Sequence, residues 1–91
     1  MQALHDRGRY GPDLALQIES MGATAVAIAN RWILGWPLRV NALLAAGRLP
    51  STLRTQTELE KDVLSEAVGM RHLSTIEILQ IHHVELAPPI V

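Results

Sequence analysis

Between Pro12 and Leu34 the apolar residues recur at helical spacing on two faces at once. Leu14, Ile18, Met21, Ala25, Ile28 and Trp32 step by 4, 3, 4, 3, 4, and Gly22, Val26, Ala29, Ile33 and Trp36 step by 4, 3, 4, 3 beside them. Asp13, Gln17, Ser20, Thr24 and Arg31 are left in one narrow polar stripe, broken by Ala27. A surface helix of a globular protein has one apolar face somewhat over 100° wide, with polar residues opposite. A helix with two apolar seams and one thin wet edge needs cover on more than one side.

Length sharpens that demand. A chain of 91 residues makes one domain and buries only about 60–65% of its unfolded surface. One continuous helix over 12–34 would be about 35 Å long, whereas a compact domain of this size has a radius of gyration of about 12 Å and a diameter near 30 Å. Later helices folded back on it can cover one seam. The second seam predicts a second copy of the chain. Gly22, Ala23, Ala25, Ala27 and Ala29 would let another backbone approach closely, and with 3% aromatics and no Phe there are few large side chains to fill a gap. The expected interface is Gly22, Ala25, Val26, Ala29, Trp32, Ile33, Trp36 and Arg39, and the expected state is a homo-oligomer, in its simplest form a dimer.

The remaining elements are also helical. Pro12 suits a first helical turn, where a missing N–H costs nothing, and Asp13 complements the helix dipole. Gly35-Trp36-Pro37 predicts a stop, with Gly35 at a left-handed C-terminal position. Pro37 can open a short helix to Ala46, closed by Gly47. After a turn at Arg48-Leu49-Pro50, Ser51 is the expected N-cap of a helix running to Val68, and Thr55 with Glu58 offers a second capping box. Leu59, Val63, Ala67 and Met70, flanked by Leu64 and Val68, form its expected inner row. Arg54, Glu58, Lys61 and Ser65 form the outer one, with Arg54–Glu58 as an i, i+4 ion pair. Ser74 and Glu77 make another capping box ahead of a helix from Thr75 to about His83. The alternation of Ile76 and Ile78 leaves a strand as the competing reading of 74–86. Residues 1–11 read as a flexible lead-in, 12–86 as the single helical domain, and 87–91 as an extended proline-rich tail.

Composition narrows the function classes. Net charge is −1, and the halves differ: residues 1–50 hold five basic and three acidic side chains, residues 51–91 three and six. This balance does not suit a chain built to grip nucleic acid. Absence of cysteine excludes disulfides, thiolate zinc sites and cysteine nucleophiles. The most apolar stretch, Met21 to Trp36, is interrupted by Asn30 and Arg31, so no membrane span is expected. The N-terminus lacks a signal-peptide run, and a cytoplasmic location is the expectation.

Chemistry-bearing patterns are sparse. Glu58, Glu60, Asp62 and Glu66, interleaved with Lys61 and Arg54, read as a solvated face rather than an acid–base site. No nucleophile elbow, dinucleotide fingerprint or phosphate loop occurs. His82 and His83 diverge by about 100° on a helix and cannot both face one metal within one chain. Arg31, Trp32, Trp36 and Arg39 form the one basic–aromatic cluster, suited either to a binding hot spot or to a helix corner plugged by indoles with a cation–π contact.

The fold expected is therefore all-α, three to four helices around one long N-terminal helix, completed by oligomerisation. The function expected is a protein–protein interaction module, a self-associating adaptor or regulatory subunit, with no catalytic residues, no cofactor and no resident metal. Two alternatives stand beside it. One is a DNA-associated regulator with a helix-turn-helix-like segment over 51–83, against which STIEILQIHH offers few base-reading side chains. The other is a metal-responsive protein using His82, His83 and Glu85.

Overall fold

The apolar run from Pro12 to Leu34 forms two helices rather than one. The computed structural model describes residues 3–67, 69 and 72–90, which contain six helices and no strand: α1 Arg7–Tyr10, α2 Pro12–Ser20, α3 Ala23–Gly35, α4 Pro37–Ala45, α5 Leu49–Glu66 and α6 Thr75–Ile81. The expected long helix breaks at Met21-Gly22. The amides of Met21 and Gly22 close the last turn of α2 on Ile18 O and Glu19 O at 3.1 and 3.2 Å. Gly22 then takes φ 105° and ψ −179°, a region that L side chains essentially do not enter.

This break removes the geometric premise of an uncovered second seam. With the helix broken there, Ala15 and Ile18 join Val26, Ile28, Ala29, Trp32 and Ile33 of α3 in one core, together with Val40, Leu43, Leu49 and Leu53. The chain fits within 38 × 27 × 19 Å, with a radius of gyration of 13.1 Å. Both seams of the 12–36 stretch are satisfied by the same chain.

The first residues are also more than a lead-in. Leu4 and Tyr10, the last residue of α1, are buried in that core. Asn30, which interrupts the apolar stretch in sequence, explains how this segment is held. Its Oδ1 accepts the His5 amide at 2.6 Å and its Nδ2 donates to Ala3 O at 2.8 Å, using both halves of the carboxamide on one length of backbone. The Tyr10 hydroxyl donates to Ala29 O at 3.4 Å. Burial pushes that phenol up to about 12, with a smaller downward pull from Arg9 and a smaller upward push from Asp6.

Helix ends follow the sequence unevenly. Gly35 is the last residue of α3 rather than a left-handed stop; the turn is made by Trp36, at φ −138° and ψ 61°. The residue before a proline is disfavoured in the helical region, so Pro37 ends α3 through Trp36 and opens α4. Helix α5 begins at Leu49 rather than after Ser51, with Pro50 in its first turn, where the amide it lacks would have no intrahelical acceptor. The Ser51 hydroxyl donates to Arg48 O and the Thr55 hydroxyl to Ser51 O, so neither residue acts as an N-cap. At Ser74 and Glu77 both arms of the capping box form, each at 3.2 Å, and α6 is helix where a strand was the alternative.

The C-terminal caps of α4 and α6 share one motif with different residues. Gly47, at φ 69°, donates to Leu44 O while Arg48 donates to Leu43 O. His83, at φ 58°, donates to Gln80 O while Val84 donates to Leu79 O. These are Schellman caps, and His83 carries a Cβ where glycine is unstrained. His83→Gly is expected to raise stability by about 1 kcal/mol. A urea titration should show a higher midpoint at unchanged slope; an unmoved midpoint would mean that the left-handed cap is not populated.

The face of α5 turned inward differs from the expected row. Leu49, Leu53, Thr57 and Glu60 are buried along it, joined by Ala67. Leu59 is 46% exposed, and Val63 and Leu64 are half-buried. Val68 and Met70 lie outside the described residues. Arg54 and Glu58 are both exposed, and the anticipated ion pair between them is not formed. Thr57 tolerates burial because its hydroxyl donates to Leu53 O at 2.7 Å. Glu60 needs a stronger partner.

A candidate binding surface around the Arg31–Glu60 pair

Glu60 was expected on a solvated acidic face, yet its side chain is 2% exposed. Arg31, assigned by spacing to the wet edge of the N-terminal helix, reaches across from α3 to meet it. The guanidinium donates from Nη1 to Oε1 at 3.1 Å and from Nη2 to Oε2 at 2.6 Å, the bidentate geometry that makes arginine–carboxylate pairs strong. Gln56, one turn earlier on α5, donates to Oε2 at 2.7 Å. Charges of this kind are stable in the interior only when paired and hydrogen-bonded. Among the described residues no buried side-chain nitrogen or oxygen lacks a partner.

The same network grips the C-terminal tail. Arg31 Nε and Trp32 Nε1 both donate to Leu86 O, at 3.0 and 3.1 Å. Gln56 Nε2 donates to Glu85 O at 3.0 Å and Arg39 Nη1 to Pro88 O at 3.3 Å. Ala87 is buried to 7% exposure and Pro88 below 2%, and the Ala87 amide donates to Glu85 Oε1 at 3.3 Å. The tail is non-helical, as its prolines require, but its first part is packed rather than trailing. Three consecutive residues of α3 thus hold two distant segments: Asn30 the backbone of residues 3–5, Arg31 and Trp32 that of Leu86.

Beside this network lies an open groove of about 520 Å³ between α3, α5 and α6. Ala23, Ala27 and Leu34 line it from α3, Leu64 from α5 and Ile76 from α6, with Arg31 and Glu60 also on its walls. Leu34 and Ile76 are 67% and 38% exposed, so the rim is apolar and accessible.

The expected interface residues take other places. Ala25, Val26, Ala29, Trp32 and Ile33 are buried by their own chain, and Gly22, Trp36 and Arg39 are half-buried. A partner would therefore not meet that seam. Of the basic–aromatic cluster, Arg31, Trp32 and Arg39 converge on the tail carbonyls, a role that spacing did not suggest. His82 and His83 are exposed at the end of α6, and Glu85 is turned onto its own tail. Sequence reasoning missed Glu60 and Gln56. The available signal was the series Leu49, Leu53, Thr57, Glu60, Leu64, Ala67, stepping by 4, 4, 3, 4, 3, which places a carboxylate on an apolar stripe.

Among the described residues, no helix is long and apolar enough to cross a membrane, and no group of three or more His, Asp or Glu side chains is placed to hold a metal ion. Comparisons with protein-family models, curated proteins and solved structures give no match.

Proposed function

We propose that the protein is a small helical protein–protein interaction module that self-associates, in the manner of an adaptor or regulatory subunit. The observation that carries this reading is the open apolar groove between α3, α5 and α6, with Leu34 and Ile76 exposed on its rim. Apolar grooves between helices are the receptor half of helix-in-groove recognition.

A second copy is the occupant that charge permits. The charged side chains lining the groove, Arg31 and Glu60, already neutralise each other. In a two-fold pair each patch meets its counterpart reciprocally, so two such grooves meet without opposing like charges. Self-association then relies on the α3–α5–α6 face in place of the buried seam.

Light scattering at micromolar concentration is expected to give at least twice the 10.0 kDa chain mass. Leu34→Glu is expected to return the mass to that of one chain while leaving the helical circular dichroism unchanged, because Leu34 is exposed in the monomer. A wild-type chain that stays monomeric at hundreds of micromolar removes the reading.

A further inference from the structure

The manner in which the tail is held has a feature that ordinary core packing does not require. Among the described residues, four donors reach residues 85–88 from outside the tail, and all go to main-chain carbonyl oxygens: those of Glu85, Leu86 (twice) and Pro88. None of these four reads a tail side chain. The two tail side chains that are buried, Ala87 and Pro88, are small or rigid. An indole N–H and guanidinium groups donating to the carbonyls of a non-helical proline-bearing segment make up a recognition chemistry of aromatic-lined sites for proline-rich segments. Prolines suit such a site because they offer carbonyls, carry no N–H to satisfy, and lose little entropy on docking.

The geometry points to a receptor surface for extended segments of the Leu-Ala-Pro-Pro type, made by Arg31, Trp32, Arg39 and Gln56 and occupied in cis by residues 85–88 of the same chain. The partner is a protein segment of that chemistry, and it engages by displacing the tail. The tail leaves α6 at His83, whose positive φ puts a strained link where the tail must swing out. The receptor side is preformed: Arg31 is fixed by Glu60, and Trp32 is 1% exposed in the core of α3. The tethered tail competes at an effective concentration in the millimolar range, so the site answers weakly to free ligand until the tail is weakened.

The test uses the whole 91-residue chain and a fluorescent heptapeptide of sequence Glu-Leu-Ala-Pro-Pro-Ile-Val. Ala87→Asp places a charge at the buried tail position and is expected to bind the peptide at least ten-fold more tightly than wild type in an anisotropy titration. A control peptide carrying aspartate for its alanine should not bind. Equal affinity for both chains, or no binding to a variant that keeps its helical circular dichroism, overturns the inference. A second measurement needs no variant. Millimolar peptide added to the isotope-labelled wild-type chain should shift the Trp32 indole N–H resonance and move the amides of residues 84–87 towards random-coil positions, and an unmoved spectrum counts against the proposal. Repeating the anisotropy series with Leu34→Glu also present separates this surface from the self-association groove, since peptide affinity should not change.

Discussion

Glu60→Ala is expected to cost about 3–5 kcal/mol of folding stability, the range for removing one partner of a buried ion pair. The loss comes less from the missing attraction than from what is left behind. Arg31 remains only 18% exposed in its side chain, with Nη1 and Nη2 deprived of the acceptors they meet at 3.1 and 2.6 Å. Gln56 loses one of its two acceptors as well. Domains of this size have only about 5–15 kcal/mol in hand, and each kilocalorie moves the melting temperature by about 4–8 °C. Thermal unfolding of Glu60→Ala should therefore come at least about 12 °C lower. The double variant Arg31→Met with Glu60→Leu should recover most of that, because an apolar pair of similar volume leaves no charge to solvate. The Leu86 carbonyl would keep the Trp32 donor. A Glu60→Ala chain that melts like wild type would mean that water reaches the pair.

Gly22→Ala is expected to cost about 1–3 kcal/mol, the range for a residue forced into a sparsely populated backbone region. Here the cause can be isolated. A Cβ built on Gly22 meets no atom within 4 Å, so the penalty lies in the backbone alone, at φ 105° and ψ −179°. The mirror image of those angles is ordinary extended backbone for an L residue, so D-alanine introduced at position 22 by chemical synthesis should fold without penalty. It should also gain a few tenths of a kcal/mol from the stiffer unfolded chain. Chemical denaturation of the two variants against wild type gives the sign directly. If L-alanine is tolerated, α2 and α3 join into the single long helix, and the second apolar seam is exposed after all.

That possibility shows where the sequence reading ran out. Periodicity correctly made 12–34 helical but could not say whether Met21-Gly22 is a small-residue contact or a corner. A glycine in a helical register costs only about 1 kcal/mol, too little to announce a break. The gain that decides it is tertiary. Breaking the helix at Gly22 lets Ala15 and Ile18 share one core with Val26 and Ile33, a contact between segments that helical spacing does not announce.

What the sequence by itself determined is local. The all-helical character, the openings at Pro12 and Pro37, the Gly47 stop and the Ser74–Glu77 capping box each rest on interactions spanning only a few residues, so neighbouring letters suffice to specify them. The pairing of Arg31 with Glu60, 29 positions apart, was decided by the tertiary structure alone. So were the clamp of Arg31 and Trp32 on Leu86 more than 50 positions away and the tie of Asn30 to residues 3 and 5. In the sequence Asn30 and Arg31 are polar interruptions of an apolar run, and Glu60 is one acid among several. A buried polar side chain is stable only with its partner in place, and that partner comes from whichever distant segment the packing of α2, α3 and α5 brings alongside. The candidate binding surface is built almost entirely from such long-range pairs, which is why it became legible only in three dimensions.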